Sequence, residues 1–200
     1  SCLVGSEMCI RDRLRKSGIP VVLVDPHRSV GSTPQLIRTI ADAVGKPDAG
    51  EALVKRTQEQ IDQAKKQIAA WKPAKPMRVA FLYVRGNAGV FFILGSENGA
   101  SELIQGVGAD DVASDKGITT LVPANAESLV SINPDAIFVM RDGLASTGGM
   151  KGLLARAGVA NTTAGRKQRV ISIPDGISLS FGPQTGEVLT AVAKALYGVK

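Results

Sequence analysis

Hydrophobic positions follow two patterns along the chain. Before residue 72 they mostly recur every three or four residues, and after residue 76 short continuous apolar runs alternate with such helical stretches. An early exception, residues 19–25 (Ile-Pro-Val-Val-Leu-Val-Asp), reads as a buried strand entered through a proline, where a missing N–H is tolerated. Residues 26–32 then form a loop. Ser32 or Thr33 is placed to cap the next helix, with Pro34 in its first turn. Leu36, Ile37, Ile40, Ala41 and Val44 share one face of that helix, and Gly45-Lys-Pro47 stops it. A longer helical pattern covers residues 49–71, with Leu53, Ile61, Ala64, Ile68 and Trp71 in a narrow apolar stripe. Glu51 with Lys55 and Asp62 with Lys66 are spaced as ion pairs on it. Its other faces are polar, so it is predicted to lie along one body or to bridge two. Lys72-Pro-Ala-Lys-Pro76 ends it and marks the clearest boundary in the chain.

Past that boundary the pattern predicts strands over 78–84, 117–121, 135–140 and 169–173. Helices are predicted near 99–107, 127–132, 152–157 and 185–196. Alternation of this kind implies parallel strands with crossover helices. The expected fold class is therefore α/β. A carboxyl-terminal three-layer α/β lobe with a mainly parallel sheet occupies 77–200, preceded by a long inter-lobe helix over 49–73. The remnant of a first α/β lobe covers 14–48, since one strand and one helix do not make an independent domain.

Composition narrows the partners. Two hundred residues with 44% hydrophobic and 21% charged content suit a soluble globular chain, and with aromatics at 4% the core rests on Val, Ile, Leu and Ala. The net charge is +6, but the basic residues are scattered and no basic run carries interleaved aromatics, which argues against a nucleic-acid partner. The two cysteines, Cys2 and Cys9, lie at the amino end, and their absence elsewhere suits an oxidising exterior. No run approaches the roughly 20 apolar residues of a membrane span, and no signal sequence or lipoprotein-type cleavage site precedes Cys2. Residues 1–13 resemble a translated sequencing-adapter string, so the native chain is expected to begin mid-helix near Leu14.

Catalytic constellations are missing from the sequence. His27 is the single histidine, which excludes a multi-histidine metal site, and there is no Gly-x-Ser-x-Gly elbow, Walker loop or Gly-x-Gly-x-x-Gly fingerprint. No enzyme is expected. Glycine-rich turns do follow three of the predicted strands, at 85–89, 141–149 and 174–183. In a parallel sheet they crowd one end, making a rim where backbone can approach a large flat ligand. Tyr83 and Arg85, two residues apart at the end of the 78–84 strand, project to the same side of it. A phenol and a guanidinium at the mouth of a cleft are suited to an anionic or metal-bearing ligand.

Four stretches carry a family resemblance: Phe81-Leu-Tyr-Val-Arg-Gly-Asn-Ala-Gly89, Asn133-Pro-Asp-Ala-Ile-Phe-Val-Met140, Gly143-Leu-Ala-Ser-Thr-Gly-Gly149 with Gly152-Leu-Leu154, and Phe181-Gly-Pro183. With them, residues 14–200 resemble the latter part of a substrate-binding protein of the iron, siderophore and vitamin B12 class of ABC importers, and within it the haem carriers. The resemblance implies two α/β lobes joined by a rigid long helix, with haem held between them as transported ligand and no enzyme cofactor. It implies Tyr83 as ligand to the ferric haem iron and Arg85 as its support, with Gly86 and Asn87 beside them. The second axial ligand of such carriers is a histidine of the first lobe; His27 is the candidate in this chain, and half a cleft should bind haem poorly. Glu127, near the start of a short helix, resembles the second-lobe residue that docks on the permease. The full-length parent is expected outside the cytoplasm, held to the membrane by a lipid anchor. Cobalamin or a ferric siderophore is the alternative cargo, and a Rossmann-like nucleotide-binding or enzyme domain the alternative class.

Overall fold

The computed structural model describes residues 6–86 and 89–199, with side chains from Ile10 onward. The first three elements are helices: α1 (Ser6–Lys16), α2 (Thr33–Ala43) and α3 (Pro47–Trp71). There follow β1 (Arg78–Arg85), β2 (Val90–Leu94), α4 (Ala100–Gly106), β3 (Asp110–Asp111), α5 (Val112–Asp115), β4 (Leu121–Pro123) and α6 (Ala126–Ile132). The chain closes with β5 (Ala136–Met140), α7 (Arg141–Ser146), α8 (Gly149–Leu154), α9 (Thr163–Arg166), β6 (Val170–Ile173) and α10 (Thr185–Tyr197).

The sheet runs β4-β2-β1-β5-β6. β1, β5 and β6 are parallel, in register at Phe81–Phe138 and Phe138–Ile171, whereas β2 and β4 extend the sheet in antiparallel sense. The other edge of β1 is shared: β3 pairs with Arg78 and Val79, and β2 with Leu82 to Arg85. The expected α/β class with a mainly parallel sheet is what the chain forms.

Alternation along β1 explains the layering. Val79 and Phe81 point into one apolar layer with Phe138, Ile173, Ala64 and Ile68 of α3, and Leu189 and Val192 of α10. Ala80, Leu82 and Val84 point into the other, with Leu129 of α6, Leu153 of α8 and Ala164 of α9. A strand buried on both faces has no polar side to show, which is why β1 and β5 read as unbroken apolar runs. Phe81 and Phe138 meet edge to face across the β1–β5 pair, ring centroids 6.4 Å apart and planes at 84°.

Helix α3 does not stand free. It packs on α2 and on α10, and at Gly186 the two backbones come so close that a Cβ there would lie 2.7 Å from the carbonyl carbon of Gln60. Its buried stripe is Gly50, Val54, Thr57, Ile61, Ala64 and Ile68, so Val54 replaces the expected Leu53. The expected ion pairs along it are not formed. Glu51 instead takes two hydrogen bonds from Arg38 of α2, at 2.6 and 3.1 Å, and Asp62 accepts one from Gln58. A two-pronged guanidinium from a neighbouring helix outcompetes a lysine on the same helix.

Other expectations are corrected by the coordinates. Residues 19–25 form no strand: Val22 and Leu23 are exposed, and no described strand pairs with them. The next strand after β1 is β2, antiparallel to it, which the alternating reading passed over. The 141–149 stretch is mostly helix α7 rather than loop, and the 117–121 strand forms at Leu121–Pro123.

Tyr197 closes the fold by donating its hydroxyl to the Val107 carbonyl at 2.7 Å. Burial first, and the charge of Asp110 second, push its pKa above the ordinary value near 10. The folded state thus holds this proton more tightly than the unfolded chain, so the contribution is complete below that ordinary value and is lost as pH climbs through the folded one. Tyr197→Phe should lose less stability than the parent between neutral pH and pH above about 10, read as the shift in urea midpoint.

Candidate functional site

The segments leaving the carboxyl ends of β1, β5 and β6 meet at one end of the sheet and are tied to one another by side chains. Asp175, in the turn after β6, accepts Arg85 Nη2 on one oxygen at 3.1 Å and the Asp142 N–H on the other at 2.9 Å. Gly86 donates its N–H to Ser146 Oγ at 2.9 Å, and Ser146 in turn donates to the Gly143 carbonyl. Arg156, beyond α8, donates to the Gly86 carbonyl and to Thr147 Oγ1, and its guanidinium carbon lies 5.1 Å from the Phe91 ring centre. Helix α7 starts hard against β1: a Cβ on Gly143 would sit 2.5 Å from the Val84 carbonyl oxygen, so only glycine admits this approach.

Tyr83 is half-buried within that frame, packed with Met140 and Leu179 against the apolar layer that holds Phe81 and Phe138. The Arg85 guanidinium carbon lies 5.6 Å from the Tyr83 ring centre, a cation over an aromatic face. The Tyr83 phenol first, and the Asp175 carboxylate second, raise the pKa of Arg85 further above its already high ordinary value, so it is a permanent cation. A phenol and a fixed positive charge thus share one side of a strand end, as their two-residue spacing predicts.

The remaining predicted residues are placed differently. Gly86 has both backbone groups committed, its N–H to Ser146 and its carbonyl to Arg156. Asn87 lies outside the described residues. His27 is well exposed, pairs with Asp25 at 3.2 Å, and borders a small cavity with Leu23, Arg28 and Leu36 whose lining does not include Tyr83. The His27 N–H is the main reason the Asp25 carboxyl sits below its ordinary range. The side chain that His27 meets is thus that of Asp25. Glu127 stands exposed in the first turn of α6, next to a reciprocal cap in which Asn125 and Ser128 bond each other's N–H. Among the described residues its carboxylate has no ion pair.

Sequence reasoning missed Asp175 and Arg156. Asp175 had a signal, a Pro-Asp-Gly turn directly after a strand; Arg156 had none. A separate, almost wholly apolar groove of about 560 Å³ runs between α2, the start of α3 and residues 179–183, lined by Leu36, Ile40, Val44, Leu53 and Leu179. Its lining does not include Tyr83 either.

No curated protein matches the chain. The crystal structure of heme binding protein HmuT does, at 46% identity and a TM-score of 0.91, covering 98% of this chain and 63% of that one. This chain thus spans less than two thirds of the HmuT structure. Periplasmic heme-binding protein RhuT from Roseiflexus sp. RS-1, solved in apo form, is 33% identical with a TM-score of 0.88, covering 94% of this chain and 70% of its own. Periplasmic heme-binding protein BhuT, solved with two hemes, is 30% identical with a TM-score of 0.86, covering 97% and 72%. HmuT has also been solved with an arginine, a tyrosine or a histidine replaced by alanine. That tyrosine and arginine are two positions apart, as Tyr83 and Arg85 are. The histidine lies 99 positions before that tyrosine, whereas His27 lies 56 positions before Tyr83. The model of the periplasmic binding protein family matches residues 2–176, and the chain belongs to that family.

Proposed function

We propose that this chain is the larger part of a substrate-binding subunit of an ABC importer whose cargo is haem. The observation that carries the reading is the Tyr83–Arg85 pair at the end of the central strand, in a chain 46% identical to heme binding protein HmuT and with the spacing of the tyrosine and arginine altered there. A phenolate is a hard anionic ligand for ferric iron, the role tyrosine has in catalase. A guanidinium beside it favours the ionised phenol and tempers its charge. Tyr83 is the axial ligand in this reading, Arg85 its support, and the half-buried Met140 and Leu179 offer apolar surface to a porphyrin face.

In the same reading residues 77–200 are the second lobe, α3 the inter-lobe helix, and residues 14–48 belong to the first lobe. Glu127, exposed and without an ion pair among the described residues, is the docking carboxylate for permease arginines. The parent protein works outside the cytoplasm on a lipid anchor, binding and handing over cargo without a catalytic step. His27 has no iron to hold, because it is paired with Asp25 and does not border Tyr83.

Absorbance titration with ferric haemin tests this. The full-length parent should show a Soret shift that His27→Ala leaves unchanged and for which Arg85→Ala requires about 10- to 100-fold more haemin, the usual loss when a group supporting a metal ligand is removed. No Soret shift, with binding of cobalamin or a ferric siderophore instead, would move the cargo within the class. Thermal stabilisation by nucleotides in place of all three would point to a Rossmann-like domain.

A further inference from the structure

Arg85 ends β1 on a long side chain that is 41% exposed, and an arginine so placed and left unheld spreads over many rotamers. It is confined instead between two groups, the Tyr83 ring at 5.6 Å and Asp175 Oδ1 at 3.1 Å. Asp175 is itself anchored. Its second oxygen takes the Asp142 N–H at 2.9 Å, its side chain is only 23% exposed, and the turn that carries it is closed by Ser178 donating to the Pro174 carbonyl. Arg156, another cation of the rim, is spent on Gly86, Thr147 and the Phe91 face. Among the described residues no second carboxylate bonds Arg85.

We propose that Asp175 is a positioning residue: it holds the Arg85 guanidinium against the Tyr83 phenol and, through Asp142, ties that pair to the start of α7. One oxygen serves the cation while the other reads the backbone, so the direction of Arg85 is set by the relative position of β1, β5 and the turn after β6. A free arginine is equally charged but points at the phenol only part of the time. The ligand-binding half of this inference rests on the haem reading; the positioning half does not.

Two measurements separate them. In the ligand-free protein, side-chain NMR order parameters of Arg85 Nε report its confinement. Asp175→Ala should lower the value to that of an exposed arginine such as Arg56, which makes no side-chain hydrogen bond among the described residues, and Asp175→Asn, which keeps an acceptor oxygen, should fall between. An unchanged value in both variants overturns the proposal. With haemin, Asp175→Ala should weaken binding by several-fold, up to about 10-fold, when Arg85 is present, and leave it unchanged in an Arg85→Ala background. Equal losses in the two backgrounds overturn the proposal, because Asp175 would then act on the ligand or the loop without Arg85. If the parent gives no Soret shift, the haem reading falls, and the order parameters alone decide what Asp175 does.

Discussion

Tyr83→Phe should abolish tyrosinate-ligated haem while leaving the protein folded. The substitution removes one oxygen. The ring remains to pack on the apolar layer below, and to offer its face to Arg85. Stability should therefore stay within about 0.5 kcal/mol of the parent, the range of substitutions that disturb no packing. The phenolate-to-iron charge-transfer band should vanish, because phenylalanine has no donor atom to give the metal. Affinity should fall by more than about 100-fold, since removing a ligand exceeds the upper limit seen for removing its supports. Haemin titration with full visible spectra reads both quantities. A variant that kept the parent's spectrum and midpoint would show that the iron is held elsewhere.

The largest loss of stability should come from Phe138→Ala. Phe138 is fully buried in the middle of β5, beside Phe81 on β1 and Ile171 on β6, and its ring meets Phe81 edge to face. Truncation forfeits the transfer free energy of the ring and leaves a void between three strands that cannot close without bending the sheet. The expected cost is about 3–5 kcal/mol, against a total of about 5–15 kcal/mol for a typical native protein. A urea melt should show a much lower midpoint at unchanged slope. Ile177→Ser, at an exposed position on the turn after β6, should shift the midpoint little by comparison. A Phe138→Ala protein as stable as the parent would mean that the β1–β5 layer is not the core.

The parts of this fold that the sequence announces are those whose physics is local or two-sided. β1 and β5 are apolar runs because helices cover both sheet faces, and α3 is bounded by prolines at both ends. β2 was missed although Val90 to Leu94 is as apolar as β1; a glycine-bearing turn between two apolar runs is a hairpin signal that the expectation of alternating helices masked. Helix α7 was read as loop because of its glycines, yet Gly143 is there so that the helix can begin against β1, a tertiary demand that overrides propensity. The 19–25 run has strand composition and no partner among the described residues, and composition alone does not pair a backbone. At the site, Tyr83 and Arg85 were legible through their two-residue spacing. Asp175 and Arg156 come from 90 and 70 positions away along the chain, and no periodicity links residues so separated.

The central place of β1 also bears on time. β2 holds it on one edge over Leu82 to Arg85, and β5 on the other over Val79 to Leu82. The two pairings overlap at Leu82, and amides in the fully buried stretch from Val79 to Leu82 exchange with solvent only when the sheet opens, so they should be among the slowest in the molecule. Tyr83 follows directly on Leu82, the residue of β1 held from both edges, and is itself paired with Phe92 of β2. Its side chain turns about two bonds within nanoseconds at most. Any slower clock in the loading or release of cargo has to belong to the turns and helices around the rim, with the strand as the fixed point against which they move.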